Sequence, residues 1–180
     1  YKASKRMRDL IVDLLSFSRV DSKRVQLMPV SLSEIMDVVL GDLSLAIKQN
    51  DVVMHLPDNL PNVFGDPGQL QRVLLNLLGN GIKYHKAGTQ PVIEISYAET
   101  KKEYEFSIKD NGIGIDPEYH DRVFEVFQRL HTREDYSGTG IGLAIVKKII
   151  NKHHGEIWFT SQLGVGSTFT FTLPKKQRHE

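Results

Sequence analysis

The 180-residue sequence contains no cysteine, which removes disulfide staples and cysteine-based zinc sites and suits a reducing compartment. No apolar run approaches the roughly 20 residues needed to span a bilayer, and no signal-peptide pattern is visible. Neither charge is in excess: 23 Lys and Arg stand against 22 Asp and Glu, which supplies no field for nucleic acid or anionic lipid. Low-complexity tracts and internal repeats are missing as well. What remains is 40% hydrophobic, enough for one core and a small appendage. Tyr1 already stands inside a helical pattern, so the sequence reads as a segment of a longer protein.

The stretch that organises the chain is Val73 to Tyr84. Leu70, Val73, Leu74, Leu77, Leu78 and Ile82 recur at helical spacing. Asn76, Asn80 and Lys83 recur at the same spacing, so they share one narrow polar stripe beside the apolar one. Asn is a mediocre helix former, and two in line with a Lys suggest a stripe that faces a polar object rather than bulk water. Their amide oxygens are neutral hard ligands suited to Mg2+, which keeps waters and borrows phosphate oxygens. Lys83 and Tyr84 then stand within reach of the phosphates. An ordinary amphipathic helix is the plain alternative.

Around this stretch the elements follow in order. Residues 1–20 form an amphipathic helix with Met7, Leu10, Ile11, Leu14 and Leu15 on one face. That face belongs to a helical hairpin or dimeric bundle, or else docks the helix on the same domain. Asp21 to Pro29 reads as linker. Ser31 and Glu34 make a capping-box pattern that opens a helix to about Gln49. A short strand over Val52 to Leu56 and a loop over Pro57 to Gly65 follow. Asp66 and Pro67 supply an N-cap acid and a first-turn proline for the organising helix. Val92 to Tyr97 and Tyr104 to Lys109 alternate like paired strands. A helix is expected around Glu118 to Gln128, a polar irregular stretch over Arg129 to Gly138, and a helix from about Gly140 to His153. Glu156 to Ser161 and Thr168 to Leu173 complete the strands. The mixture implies one two-layer domain of helices on a sheet.

Three glycine motifs punctuate this framework. Asp110-Asn111-Gly112-Ile113-Gly114 follows a strand; the glycines let a ring lie against bare backbone, and the Asp110 carboxylate can accept from an exocyclic amine such as that of adenine. The same letters also make a common turn. Gly138-Thr139-Gly140-Ile141-Gly142 runs into a helix at Leu143, an arrangement that offers N–H groups to phosphate or serves as a flexible loop beside a close helix–sheet contact. It is not a Walker A loop, because no Gly-Lys-Ser/Thr follows. Gly164-Val165-Gly166-Ser167-Thr168 alone is a hairpin.

In this order the motifs resemble the catalytic ATP-binding domain of sensor histidine kinases, within the ATPase group shared with Hsp90, type II topoisomerases and MutL. L-L-N-L-L-G-N-G-I-K-Y resembles the N box, D-N-G-I-G-I the G1 box, V-F-E-V-F-Q-R-L the F box, G-T-G-I-G-L-A-I-V the G2 box and G-V-G-S-T-F the G3 box. The likeness is strongest to phytochrome-like and PAS-linked kinases, and residues 1–24 resemble the second helix of their dimerisation hairpin. It implies an α+β two-layer sandwich of Bergerat type, with a mainly antiparallel mixed sheet and helices on one face over residues 31–176. Residues 25–30 would be linker and 177–180 a tail.

By that resemblance, Asn80 would hold Mg2+ with Asn76 close by, and Lys83 and Tyr84 would contact phosphates or ribose. Asp110 would read adenine in a pocket shaped by Gly112 and Gly114, and Thr168 would support the adenine side through water. Arg129 would open a nucleotide lid over Leu130 to Ser137. Gly138, Thr139, Gly140, Ile141, Gly142 and Leu143 would hinge the lid and approach the phosphates. The implied reaction transfers the γ-phosphoryl of ATP to a His, for relay to a response regulator receiver domain. The implied assembly is a homodimer through the hairpin, in the cytoplasm, with any membrane anchor lying outside this sequence. Gly81 departs from the usual Ala and predicts either local loosening or close packing. None of the seven His stands in the acceptor pattern: His120-Asp121 and His179-Glu180 match only its dipeptide, so the acceptor is expected upstream of Tyr1. An ATP-driven chaperone or DNA-repair clamp on the same fold, and a regulator that only binds nucleotide, are the rival functions. The near-zero net charge disfavours the first rival, and the intact polar residues disfavour the second.

Overall fold

The structure, a computed structural model, describes residues 2–22, 27–128 and 139–175. Arg129, the expected lid and Gly138 lie outside them.

The order is α1 (Lys2–Ser22), β1 (Met28–Ser31), α2 (Leu32–Gln49), β2 (Val53–His55), β3 (Asn62–Gly65), α3 (Pro67–Lys83), β4 (Val92–Glu99), β5 (Glu103–Asp110), a 3-10 turn (Pro117–Arg122), α4 (Gly142–Lys152), β6 (Ile157–Gln162) and β7 (Gly166–Pro174). The main sheet runs β2-β4-β5-β7-β6, with β2 parallel to β4 and every other pair antiparallel. This is the expected two-layer α+β arrangement.

The sheet's helix-facing side is built in cross-strand rows. Ile95, Ile108, Phe169 and Phe159 are register partners, as are Tyr97, Phe106, Phe171 and Ile157. Phe106 stacks on Phe171 at 5.3 Å and Phe159 on Phe169 at 5.6 Å. Against these rows α3 lays Val73, Leu74, Leu77, Leu78 and Ile82, all buried, and α4 lays Ile145, Val146, Ile149 and Ile150. Burying each such side chain stabilises the fold by about 1.5–3 kcal/mol. Gly81 is closely packed rather than loosened: a Cβ there would lie 2.9 Å from Ile93 Cδ1.

Local capping sets where the helices start. Ser31 Oγ accepts from Glu34 N at 3.3 Å at the head of α2. Asp66 Oδ1 accepts from Gln69 N at 2.9 Å, with Pro67 at the first position of α3. The Asp66 N–H itself donates to His153 Nε2 at 3.0 Å, while Nδ1 of that buried ring meets Ile149 O at 2.8 Å. His153 is therefore neutral with its proton on Nδ1, and burial pushes its pKa below the ordinary value.

Three expectations are corrected. Residues 28–30 were expected as linker and 57–65 as loop, yet Met28–Ser31 and Asn62–Gly65 pair antiparallel as a two-stranded sheet. Each segment is too short to carry an alternation of its own, and each is recognised as a strand by its pairing with the other. The helix expected over Glu118 to Gln128 is a 3-10 turn capped by Asp116, whose Oδ1 accepts from Glu118 N at 2.9 Å. It ends at Arg122, and Phe127 farther on adopts φ 65, a left-handed backbone.

Helix α1 docks on α4. Leu10 and Phe17 pack on the core. Met7, Ile11, Leu14 and Leu15 remain 64%, 53%, 48% and 52% exposed, so their expected burial against a partner helix is not met within this chain. Among the described residues, no helix is long and apolar enough to cross a membrane.

Candidate active site

Residues from α3, β5, α4 and β7 converge at one end of the sheet. The register row there is Ile93, Asp110, Ser167 and Ser161, one step beyond the apolar row of Ile95, Ile108, Phe169 and Phe159. Partners in one row point to one face, so Asp110 and Ser167 face the helices just where the core stops.

Asp110 is held by two backbone donors on the same oxygen. Gly112 N donates to Oδ1 at 2.8 Å and Ser167 N at 3.3 Å. Burial raises its carboxyl pKa above the usual range, and the two backbone bonds oppose that rise. Both donors use Oδ1, and Asp110 borders a small cavity of about 40 Å3 together with Asn80, Tyr84, Ile113, Gly114, Leu143 and Phe169. Gly114 adopts φ 72, and a Cβ there would collide with Gln162 O at 2.1 Å. Ile115 N donates to Ser161 Oγ at 2.8 Å, which ties this loop to β6.

A second cavity of about 210 Å3 adjoins the first and shares Asn80, Tyr84 and Leu143 with it. Its walls carry Asn76, Asn80 and Lys83 from the α3 stripe, and Thr139, Gly140 and Gly142 from the glycine-rich segment before α4. Asn76 Nδ2 donates to Arg72 O at 2.8 Å, which fixes the amide and turns Oδ1 toward Gly142. A Cβ on Gly142 would lie 2.5 Å from that oxygen. Lys83 Nζ donates to Tyr84 Oη at 2.7 Å and sits 4.2 Å from the ring centroid, so the two side chains move as a unit. Ile141 is wholly buried and anchors the segment to the core.

The expected residues Asn76, Asn80, Lys83, Tyr84, Asp110, Gly114, Thr139, Gly140, Gly142 and Leu143 thus border these two joined cavities, and Gly112 supplies the N–H that fixes Asp110. Thr168 does not. It pairs with Lys109 and Thr160 and borders an open concavity on the sheet's outer face. Its neighbour Ser167 borders the smaller cavity. The signal was in the alternation: Ser167 shares parity with Phe169 and Phe171, which must face the core. Asp13 of α1, which no local pattern marked, also borders the larger cavity.

The donor set fits a Mg2+–nucleotide complex: neutral amide oxygens from Asn76 and Asn80, an ammonium, and backbone before a helix start. Among the described residues there is no group of three or more His, Cys, Asp or Glu that could hold a metal ion.

The model of the histidine kinase-, DNA gyrase B-, and HSP90-like ATPase family matches residues 65–177. Over 93% of its length the chain is 44% identical to cyanobacterial phytochrome A of Nostoc, of which it covers 22%. Over 98% of its length it is 34% identical to the sensor histidine kinase WalK of Bacillus subtilis, covering 30% of that protein. The full-length ShkA structure in complex with AMPPNP superposes with a TM-score of 0.79 at 26% identity, over 99% of this chain and 38% of ShkA. The chain therefore spans less than a third of the length of these two curated relatives. Its motifs, sheet order and joined cavities agree with one assignment: the chain belongs to the histidine kinase-, DNA gyrase B-, and HSP90-like ATPase family, and the relatives it resembles are sensor histidine kinases.

Proposed function

We propose that the chain binds ATP with Mg2+ and donates the γ-phosphoryl to a His nitrogen on a dimerisation hairpin, for relay to the Asp of a response regulator. The observation that carries this reading is the junction of the two cavities at Asn80 and Tyr84, with a fixed carboxylate at the end of one and a polar stripe along the other. Asp110 accepts the adenine amine through the oxygen that its backbone donors leave open, and Ser167 lies beside it to hold a bridging water. Lys83, steadied by Tyr84, meets the phosphates. Asn80 and Asn76 are the residues that would hold Mg2+, whose charge offsets that of the phosphates when bound. Backbone N–H groups at the start of α4 complete an electropositive lining.

The acceptor imidazole is itself a nucleophile, so no side chain here has to become one. Its nitrogen bonds to the γ-phosphorus as the bond to the β-bridging oxygen breaks, and ADP leaves. The chain's part is positioning and charge stabilisation. His120, the one described His of an acceptor-like dipeptide, packs edge-on against Phe159 at 5.1 Å, a structural post.

The test is transfer in trans. Incubated with labelled ATP, the chain alone should stay unlabelled, whereas a hairpin bearing an acceptor His should gain acid-labile, base-stable phosphate. Stoichiometric label on the chain's own His would refute the proposed division of roles.

A further inference from the structure

Helix α1 reaches the phosphate side of the cleft. Thr139 Oγ1 donates to Asp13 Oδ2 at 2.5 Å, and Arg72 Nη2 stands 4.0 Å from Asp13 Oδ1. One turn on, Lys148 of α4 donates to Phe17 O at 3.1 Å, and its ammonium lies 3.8 Å from the Phe17 ring centroid. Leu10, Asp13 and Phe17 recur at i, i+3 and i+7, so these described contacts lie on one stripe of α1. Asp13 is the member of that stripe that enters the cavity wall.

A carboxylate is out of place there. Apart from the apolar Val123 and Leu143, the wall offers the amides of Asn76, Asn80 and Gln128, the Lys83 ammonium, the hydroxyls of Tyr84 and Thr139 and the backbone of Gly140 and Gly142, and Asp13 is its one acid among the described residues. The Thr139 hydroxyl can donate to a phosphate oxygen as readily as to a carboxylate. Asp13 and a phosphate chain would also carry like charge into one cavity of about 210 Å3, where water screens them less than at the surface.

We propose that docking of α1 on α4 and occupancy of the cleft by a nucleoside triphosphate oppose one another, because Asp13 and the phosphates compete for Thr139 and bring like charge into the same cavity. This rests on the reading of the cleft as an ATP site and adds a regulation to it. By linkage the effect is reciprocal: whatever lifts α1 tightens nucleotide binding, and nucleotide loosens α1. Asp13 is thereby a positioning residue that reports cleft occupancy to the helix bearing the exposed stripe of Met7, Ile11, Leu14 and Leu15.

Titrating ATP, ADP and adenosine with Mg2+ against the 180-residue chain and its Asp13→Asn variant tests this. Asp13→Asn should bind ATP about fivefold tighter, the low end of typical coupling because the carboxylate is partly exposed. ADP should gain less and adenosine nothing. An equal change for all three ligands would make Asp13 a mere prop of the fold and overturn the proposal. Unchanged ATP affinity overturns it too, and so does weaker binding, which would make Asp13 a holder of the Mg2+ complex. If the wild type binds no ATP at all, the ATP assignment itself falls, which is a different result from binding that ignores Asp13. Hydrogen exchange supplies a second readout: ATP should speed exchange of α1 amides over residues 10–17, and adenosine should not. Protection indifferent to ATP refutes the coupling.

Discussion

Replacing Asp110 with Asn separates binding from folding at one atom. Both backbone donors, Gly112 N and Ser167 N, sit on Oδ1. An amide that flipped would turn a donor toward these two N–H groups, so Asn keeps its oxygen where Oδ1 is. Its Nδ2 then stands in place of the second carboxylate oxygen. An adenine amine arriving there meets a donor rather than an acceptor. A hydrogen bond to a charged group contributes about 1.5–3 kcal/mol, so ATP affinity should fall about 10- to 150-fold. Folding should respond in the opposite sense. Burial raises the Asp110 pKa, so the folded chain binds that proton more tightly than the unfolded chain. Stability is therefore lost as pH climbs from about 4 through the raised folded value, and the loss is complete above it. Asn carries no such penalty, so the variant should melt no lower than wild type at pH 7 and should lack this pH slope. Calorimetric titration with ATP and thermal unfolding from pH 4 to 8 measure the two halves. Undiminished ATP affinity would refute the role given to the second oxygen, and a markedly lower melting temperature would refute the bonding account.

Two further outcomes follow from the same geometry. Asn80→Asp should keep the fold but add a negative charge beside the phosphates, so ATP binding without Mg2+ should weaken most and Mg2+ should restore more of it than in wild type; equal affinities with and without metal would remove Asn80 from the ligand set. His153 is held neutral below its ordinary pKa, so the unfolded chain takes up the proton first and stability should fall as pH drops below about 6.5, the loss ending below the depressed folded value. In His153→Phe that slope should vanish, while the unpaired Asp66 N–H costs about 1–3 kcal/mol at pH 7.5; urea midpoints from pH 7.5 to 5 would show both effects.

The parts of the fold that were legible in the sequence are those whose signal is local. Asp66 and Pro67 announced the start of α3, its apolar stripe announced the buried face, and the alternation in β4 and β5 announced their pairing. The aligned Asn76, Asn80 and Lys83 marked one wall of the site for the same reason. What escaped depends on contacts distant in sequence. Strands β1 and β3 exist because they pair with each other, and neither pattern suffices alone. Asp13 meets Thr139 only because α1 folds back onto α4. Thr168 was placed by its position in a motif, whereas counting back by twos from Phe169 puts Ser167 on the inner face.

The central claim is that the cleft selects adenine with Asp110 at its end. Titrating wild type with ATP and GTP in the presence of Mg2+ tests it most directly. The account predicts heat of binding with ATP and at least about tenfold weaker binding of GTP, whose ring presents an acceptor oxygen where adenine presents its amine. Equal affinity for the two, or no binding of ATP, would contradict it.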